Sequence, residues 1–258
     1  MADMSIVQSK PFDYEKIDYA KLYEIERKHS WIVEPIYTAS VAVSKMPFYD
    51  YVSRIKSPHE FKPIACQLYF HSATFPKVLG LMLGLTPLSE NHMMPFYAKH
   101  AFGEADHHQM LLRWMIKYGL LSTPEEIDST LVAIETNSCI NLAYRLAAEH
   151  DRDKWLVTIN SGIERCSNDF FKAVAAKMHE IGAGDEYFDI HVEADEHHSI
   201  MGLEFLEIED ITSQRAVHLI AKALEGIALW ADMLHSWIGI AYHPRFNLDG
   251  TLIEVPLA

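Results

Sequence analysis

Cysteine is scarce in this chain, and the three present, Cys66, Cys139 and Cys166, stand well apart. An odd, scattered set argues against a disulfide framework or a cysteine metal site and fits a reducing cytoplasm. No apolar run approaches the roughly 20 residues needed to span a bilayer, so no membrane partner is expected. The opening MADMSIVQSK lacks the apolar core of a signal peptide, and a cytoplasmic location is the expectation. Positive charge is also in deficit: 22 Lys and Arg against 36 Asp and Glu give a net charge of -14. With no basic stripe, nucleic acid is an unsuitable partner. Linkers, low-complexity tracts and strand-type alternation are missing too, which argues against a second domain and against a sheet.

What is there is an ordinary globular composition, 49% hydrophobic and 22% charged over 258 residues, enough for one substantial core. Helical periodicity runs almost throughout. Residues 12–30 are amphipathic, with Tyr14, Ile17, Leu22 and Ile25 among the apolar positions. A more apolar segment follows from Trp31 to about Ser44, broken by Met46-Pro47. Residues 63–84 read as a buried helix with a kink expected at Pro76. The next helix is expected from Ser89, as N-cap, to a stop at Gly119. Pro124 should open another. Segments 151–184, 185–208 and 213–243 complete the set, and the tail 244–258 carries a turn signal at Asp249-Gly250 that would let it fold back. The expectation is an all-α single domain over 1–258, with about seven or eight helices.

The chemistry is concentrated in three places. His191, Asp195 and His198 form an H-x3-D-x2-H run that puts all three on one helix face. Glu104 and His107 are three apart and project together. Glu164 sits alone in the apolar stretch LVTINSGIE, where an uncompensated carboxylate would be costly to bury. Three carboxylates and three imidazoles are donors suited to divalent iron, manganese or zinc, and are enough for two ions. Each element alone also fits a solvated polar surface, since Glu193 and Glu196 flank Asp195. Three helices supplying complementary ligands together make the metal reading the stronger.

Two histidine doublets leave the register open. Spacing from Glu104 does not separate His107 from His108, whereas His198 continues the His191–Asp195 stripe better than His197, which is about 100° away. His71, His100 and His235, isolated on other helices, are expected to be core residues rather than ligands.

These motifs resemble those of the heme-oxygenase-like di-iron oxidases and oxygenases: a glutamate and a histidine on one helix, a lone glutamate on a second, and H-x3-D-x2-H on a third. The E-x2-H spacing, Trp114 beyond it, the TINSGIE segment and HVEADEHHSIMGLEFLEI are most similar to the branch with the fatty acid decarboxylase that makes terminal alkenes. The resemblance covers approximately residues 60–240. It implies a heme-oxygenase-like helical fold, with Glu104, His107, Glu164, His191, Asp195 and His198 holding two Fe(2+) ions, and it favours His107 over His108. It further implies O2 as co-substrate, a small-molecule substrate, an external electron donor and a homodimer. N-oxygenation of an amine or amino-acid-derived compound is the expected reaction. Fatty acid decarboxylation is the alternative, because residues 63–84 and Met93-Met94 could line an apolar channel. A non-catalytic metal-binding scaffold is a further reading. So is the metal-independent branch with pyrroloquinoline quinone synthase and thiaminase-like proteins, which has no need of this ligand set. A ferritin-like bundle fits less well: residues 61–84, where its first lone glutamate belongs, contain no acid, and His191 would have no part in it.

Overall fold

The computed structural model describes residues 19–199 and 201–253, without the side chains of 19, 21, 22 and 193–197. Its elements are α1 (Tyr19–Lys28), α2 (Ser30–Val43), α3 (Pro47–Arg54), α4 (Lys62–Leu85), α5 (Met94–Gly103), α6 (His107–Lys117), α7 (Ile134–Glu149), α8 (Arg152–Trp155), α9 (Arg165–Glu180), α10 (Glu186–His198) and α11 (Gln214–Trp237). A π-helical segment, Leu156–Glu164, joins α8 to α9. The only β pairing among the described residues is an isolated bridge between Phe246 and Leu252. None of the helices is long and apolar enough to cross a membrane.

Local chemistry explains most boundaries. Pro47 sits in the first turn of α3, where its missing N–H costs nothing, and ends the apolar run of α2. Gly119 stops α6 with φ of 71°, a left-handed position where glycine has no Cβ penalty. Ser213 caps α11 by accepting from the Ala216 N–H at 3.2 Å. The tail does fold back: Gly250, at φ 82°, lies so close to Pro35 of α2 that a Cβ would overlap its carbonyl. Tyr14 and Ile17 lie outside the described residues.

Several expectations need correcting. The helix expected over 89–119 is three pieces: a 3-10 turn at Leu88–Met93, then α5 and α6, separated by a turn at 104–106. Ser89 lies inside the 3-10 turn, and Met93 precedes α5, whose first turn holds Pro95. Pro124 opens a 3-10 turn ending at Ser129, and α7 begins five residues later. Here the Pro124 signal set a turn that the chain did not extend: residues 130–133 carry no helix, and Thr130 and Ala133 have extended backbone. α4 continues through Pro76 without a break.

α11 is the central rod. Its buried positions Leu219, Ala223, Ile227, Trp230, Leu234 and Trp237 repeat every three or four residues, so one apolar stripe faces inward. That stripe packs on the π segment, α7 and α2, while α4 packs on α5, α6 and α7, and α9 pairs with α10. Burying each large side chain contributes about 1.5–3 kcal/mol. Polar ties set the register: the Trp237 indole donates to Thr136 Oγ1 at 2.8 Å, and Thr136 donates to Gln67 at 3.0 Å, joining α11, α7 and α4. At the other end the Arg215 guanidinium grips Asp151 through two hydrogen bonds, 2.6 and 2.5 Å, and reaches Asp153 at 3.1 Å. This pins the start of the π segment to the start of α11.

The approach between those two rods depends on glycine. A Cβ on Gly226 would stand 2.7 Å from Thr158 Cγ2, and one on Gly162 would stand 3.2 Å from the Ala223 carbonyl. Gly226→Val should therefore destabilise the protein by about 1–3 kcal/mol through overpacking. That corresponds to a Tm about 2–10 °C lower for a chain of this size. An unchanged melting curve by circular dichroism would show that the rods can separate freely.

Candidate metal centre

Glu104 occupies the turn that separates α5 from α6, directly after Gly103. His107 is the first residue of α6 and its Nδ1 meets Glu104 Oε2 at 2.8 Å. Glu164 is the last residue of the π segment. π geometry is rare and recurs at functional sites, where an extra residue per turn redirects one side chain. His191 and His198 come from α10. Asp195 lies between them on that helix, but its side chain, like that of His197, is outside the described residues.

The structure brings Glu104, His107, Glu164, His191 and His198 together, and adds His100 from α5. All six are at most 7% exposed. The rings fall into two facing pairs, His100 with His198 and His107 with His191, each with centroids 4.3 Å apart. Glu104 lies between the pairs. Its Oε1 is 3.6 Å from His198 Nδ1, and its Oε2 faces His107. Glu164 extends toward the first pair, 3.3 Å from His100 Nε2 and 3.9 Å from His198 Nδ1. Potential ligand atoms of His100, Glu104 and His198 lie within 4.8 Å of one another, as do those of Glu104, His107 and His191.

The residues expected in the core divide three ways. His235 is a core residue whose Nδ1 donates to the Ala231 carbonyl at 2.6 Å, while its Nε2 is buried without a hydrogen-bond partner. His71 lines a cavity beside the cluster. His100 belongs to the cluster itself, and its placement corrects the expectation. A signal for it was present: His100, Glu104 and His107 repeat the H-x3-acid-x2-H spacing of His191, Asp195 and His198. His108 is turned away, against Gln109 and the Tyr69 ring. Cys166, as its helical angle from Glu164 implied, is buried elsewhere, near Tyr49 and Asp169.

Neighbouring groups fix ring orientation. The Tyr187 carbonyl, which can only accept, is 2.6 Å from His191 Nδ1, so Nδ1 carries the proton and Nε2 is left as the ligating nitrogen. Phe171 stacks on the His191 ring at 4.0 Å. Asn168 donates to the Val192 carbonyl at 3.0 Å, holding α10 on α9.

Electrostatics suit cation binding. Burial keeps His100 and His71 neutral down to about 4, and burial reinforced by His107 keeps His191 neutral to about 3. Burial alone would raise the Glu104 carboxyl, but the His107, His198 and His191 imidazoles overcome it and hold the group ionised well below its ordinary range. Neutral imidazoles and ionised carboxylates are the ligating forms. Both nitrogens of His100 are buried without a hydrogen bond. Four imidazoles and two carboxylates in a dry interior therefore fit a pair of divalent first-row metals.

A cavity of about 30 Å³ adjoins the cluster, lined by Glu104, Glu164 and His191 on one side and by Phe75, Trp230 and Ser72 on the other. That is room for about two water molecules. His71, Phe75 and Ile163 are shared with a smaller apolar void of about 10 Å³, farther from the cluster.

The metal-free protein should lose stability as pH falls. His71, His100 and His191 stay neutral in the fold to about 4, 4 and 3, whereas in the unfolded chain they take up protons near 6.5. Below 6.5 the unfolded state binds more protons, so stability falls with pH. The lowered Glu104 acts with the same sign, its contribution fading below the ordinary glutamate range. Tm of the chelator-treated protein should drop steadily between pH 7 and 5; a flat profile would contradict these buried neutral rings.

Comparison with known proteins agrees with this architecture. A sequence profile described as iron-containing redox enzyme matches residues 62–231, from the start of α4 through most of α11. Among solved structures, a domain of unknown function with a heme oxygenase-like fold, from Shewanella denitrificans OS217, aligns with a TM-score of 0.64 at 19% identity. The alignment covers 87% of this chain and 94% of that one. At that identity the likeness concerns the fold, which is heme oxygenase-like here too. A search of curated proteins finds no match.

Proposed function

The chain belongs to the family of iron-containing redox enzymes, and on that premise we propose that it is an O2-activating di-iron oxidoreductase acting on a small organic substrate. N-oxygenation of an amine or amino-acid-derived compound is the reaction we favour. The observation that carries this reading is the pair of buried triads that share one carboxylate, Glu104. In this proposal Glu104, His107, Glu164, His191 and His198 are metal ligands, joined by Asp195 on the strength of its spacing and of the family resemblance. When bound, two ferrous ions supply the two electrons that begin the reduction of O2.

The protein's own part is to hold and to enclose. Glu104 directs one oxygen toward each histidine pair, so a single carboxylate serves both positions. Glu164, anchored at the end of a buried π segment, adds a second carboxylate beside the His100–His198 pair. Leu68, Phe75, Phe171 and Trp230 are the large apolar side chains of the cavity lining, with Phe171 stacked on the His191 ring. Ser72, Ser167 and His71 are further polar groups in that lining. No lysine or arginine lines the cavity, so a fatty acid carboxylate would find no fixed cation there apart from the metals. Small volume and hydroxyl groups favour a compact, partly polar substrate. Oxidative decarboxylation of a fatty acid keeps one specific support, the apolar void reached past His71 and Phe75 and lined farther on by Val78, Ile140 and Ile159.

Anaerobic reconstitution should load about two equivalents of ferrous iron per chain, the number that six N/O ligands support with positions left open. A plateau near zero would sink the reading. Glu164→Ala and Asp195→Ala should lower turnover at least 100-fold by removing anionic ligands, with His108→Ala near wild type as control. Mixing the ferrous protein with O2 in a stopped-flow spectrometer should give a transient visible band that a fitting substrate accelerates. Small amines, amino acids and fatty acids are the classes to compare. If none perturbs the O2 reaction, both substrate assignments fall and the metals remain.

A further inference from the structure

The role of His100 goes beyond the ligand set implied by the family resemblance, in which no histidine precedes the Glu104 motif. His100 is 1% exposed, and neither ring nitrogen has a hydrogen bond. Its Nε2 is 3.3 Å from Glu164 Oε1, and its ring faces that of His198 at 4.3 Å. On another side the Phe75 ring approaches edge-on at 5.6 Å. An imidazole buried in this way costs free energy unless both its polarity and its position are used.

The sequence spacing adds an independent argument. His100-x3-Glu104-x2-His107 and His191-x3-Asp195-x2-His198 have the same pattern, and the two runs meet in opposite directions. The first histidine of one run faces the last of the other: His100 meets His198, and His107 meets His191. Ligand atoms about 2 Å from a common ion lie roughly 3–4 Å apart, and His100, Glu104 and His198 offer atoms within 4.8 Å of one another. The same holds for Glu104, His107 and His191. Each oxygen of Glu104 faces a different pair.

We propose that His100 is a seventh metal ligand, so that each ion is held by a facing pair of histidines and the two ions share Glu104. This rests on the two-metal reading above. The two positions then differ in access. Glu164 closes on the His100–His198 pair, whereas His191, from the other pair, lines the cavity together with Glu104 and Glu164. Of the four histidines in the two pairs, only His191 is among the residues that line the cavity.

The test is anaerobic titration of the full-length protein with Fe(2+) and, for its visible ligand-field bands, Co(2+). Wild type should take up about two equivalents. His100→Ala should keep one tight site and bind the second at least about 10-fold more weakly, with altered Co(2+) bands, and added imidazole should restore both. His100→Gln, whose amide can donate to Glu164 but is a poor ligand, should resemble His100→Ala; it also carries the test if His100→Ala fails to fold by circular dichroism. A His100→Gln protein that titrates like wild type would make His100 a hydrogen-bond donor to Glu164 and overturn the inference. So would a His100→Ala protein with two unchanged sites, and in that case the two-metal reading survives. A wild-type titration that stops short of two equivalents removes both.

Discussion

The organisation of this protein follows from one buried carboxylate. Glu104 is buried and surrounded by imidazoles from α5, α6 and α10. Leaving such a charge uncompensated would cost several kcal/mol, so the surroundings have to supply donors or cations on every side. The break between α5 and α6 meets part of that demand. A continuous helix would spend the backbone at 104–106 on its own ladder, whereas the turn sets Glu104 and His107 beside each other at 2.8 Å. Glu164 then places a second carboxylate a few ångströms away. Two carboxylates this close together in a buried site are an arrangement that cations would offset.

Rigidity around that charge comes from contacts that reach across the sequence. The Trp114 indole donates to the Ala183 carbonyl at 2.9 Å, tying α6 to the loop ahead of α10. Asn168 holds the middle of α10 through Val192, and Tyr187 and Phe171 hold the His191 ring. The π segment is fixed at its start by Arg215 on Asp151 and along its length by close packing on α11 at Gly162 and Gly226. Every ligand-bearing element is thus braced by a partner that is not itself at the centre. Side chains locked by packing and by hydrogen bonds from a surrounding shell are what a preorganised metal site requires.

Much of this was legible in the sequence because helical spacing is a local property. His191 and His198 on one face, Glu104 beside His107 and Glu164 in an apolar run follow from residue type and periodicity alone, and these five side chains do converge. The turn at 104–106 and the π segment were not legible, because both answer to tertiary demands rather than to local propensity. No glycine-proline signal marks either break, and Gly103 alone also fits a helix interior. Taken as a lone histidine on an apolar helix, His100 reads as a core residue. Counted from Glu104 instead, it falls one turn away on the same face. The tail shows the opposite case, where Asp249-Gly250 announced a turn through chemistry that needs no tertiary partner.

Access to the centre is one-sided. Glu104, Glu164 and His191 line the cavity, and α4 and α11 close it with Leu68, Phe75 and Trp230. The opposite side is filled by α5, α6 and α10, where His100, His107 and His198 are packed against protein. His71 and Ser72 of α4 line the same cavity as the Glu104 and Glu164 carboxylates and the His191 imidazole. The preformed space is about 30 Å³, which suits dioxygen or water better than any organic substrate. Binding a larger molecule requires α4 side chains to move, with Phe75 and His71 the pair that separates the two voids. Displacement of that pair would join the cavities into one longer, apolar space; leaving it in place confines chemistry to compact molecules. The length of the space beside the cluster is thus set by His71 and Phe75 on α4 together with Ile163, the three side chains shared by the two voids.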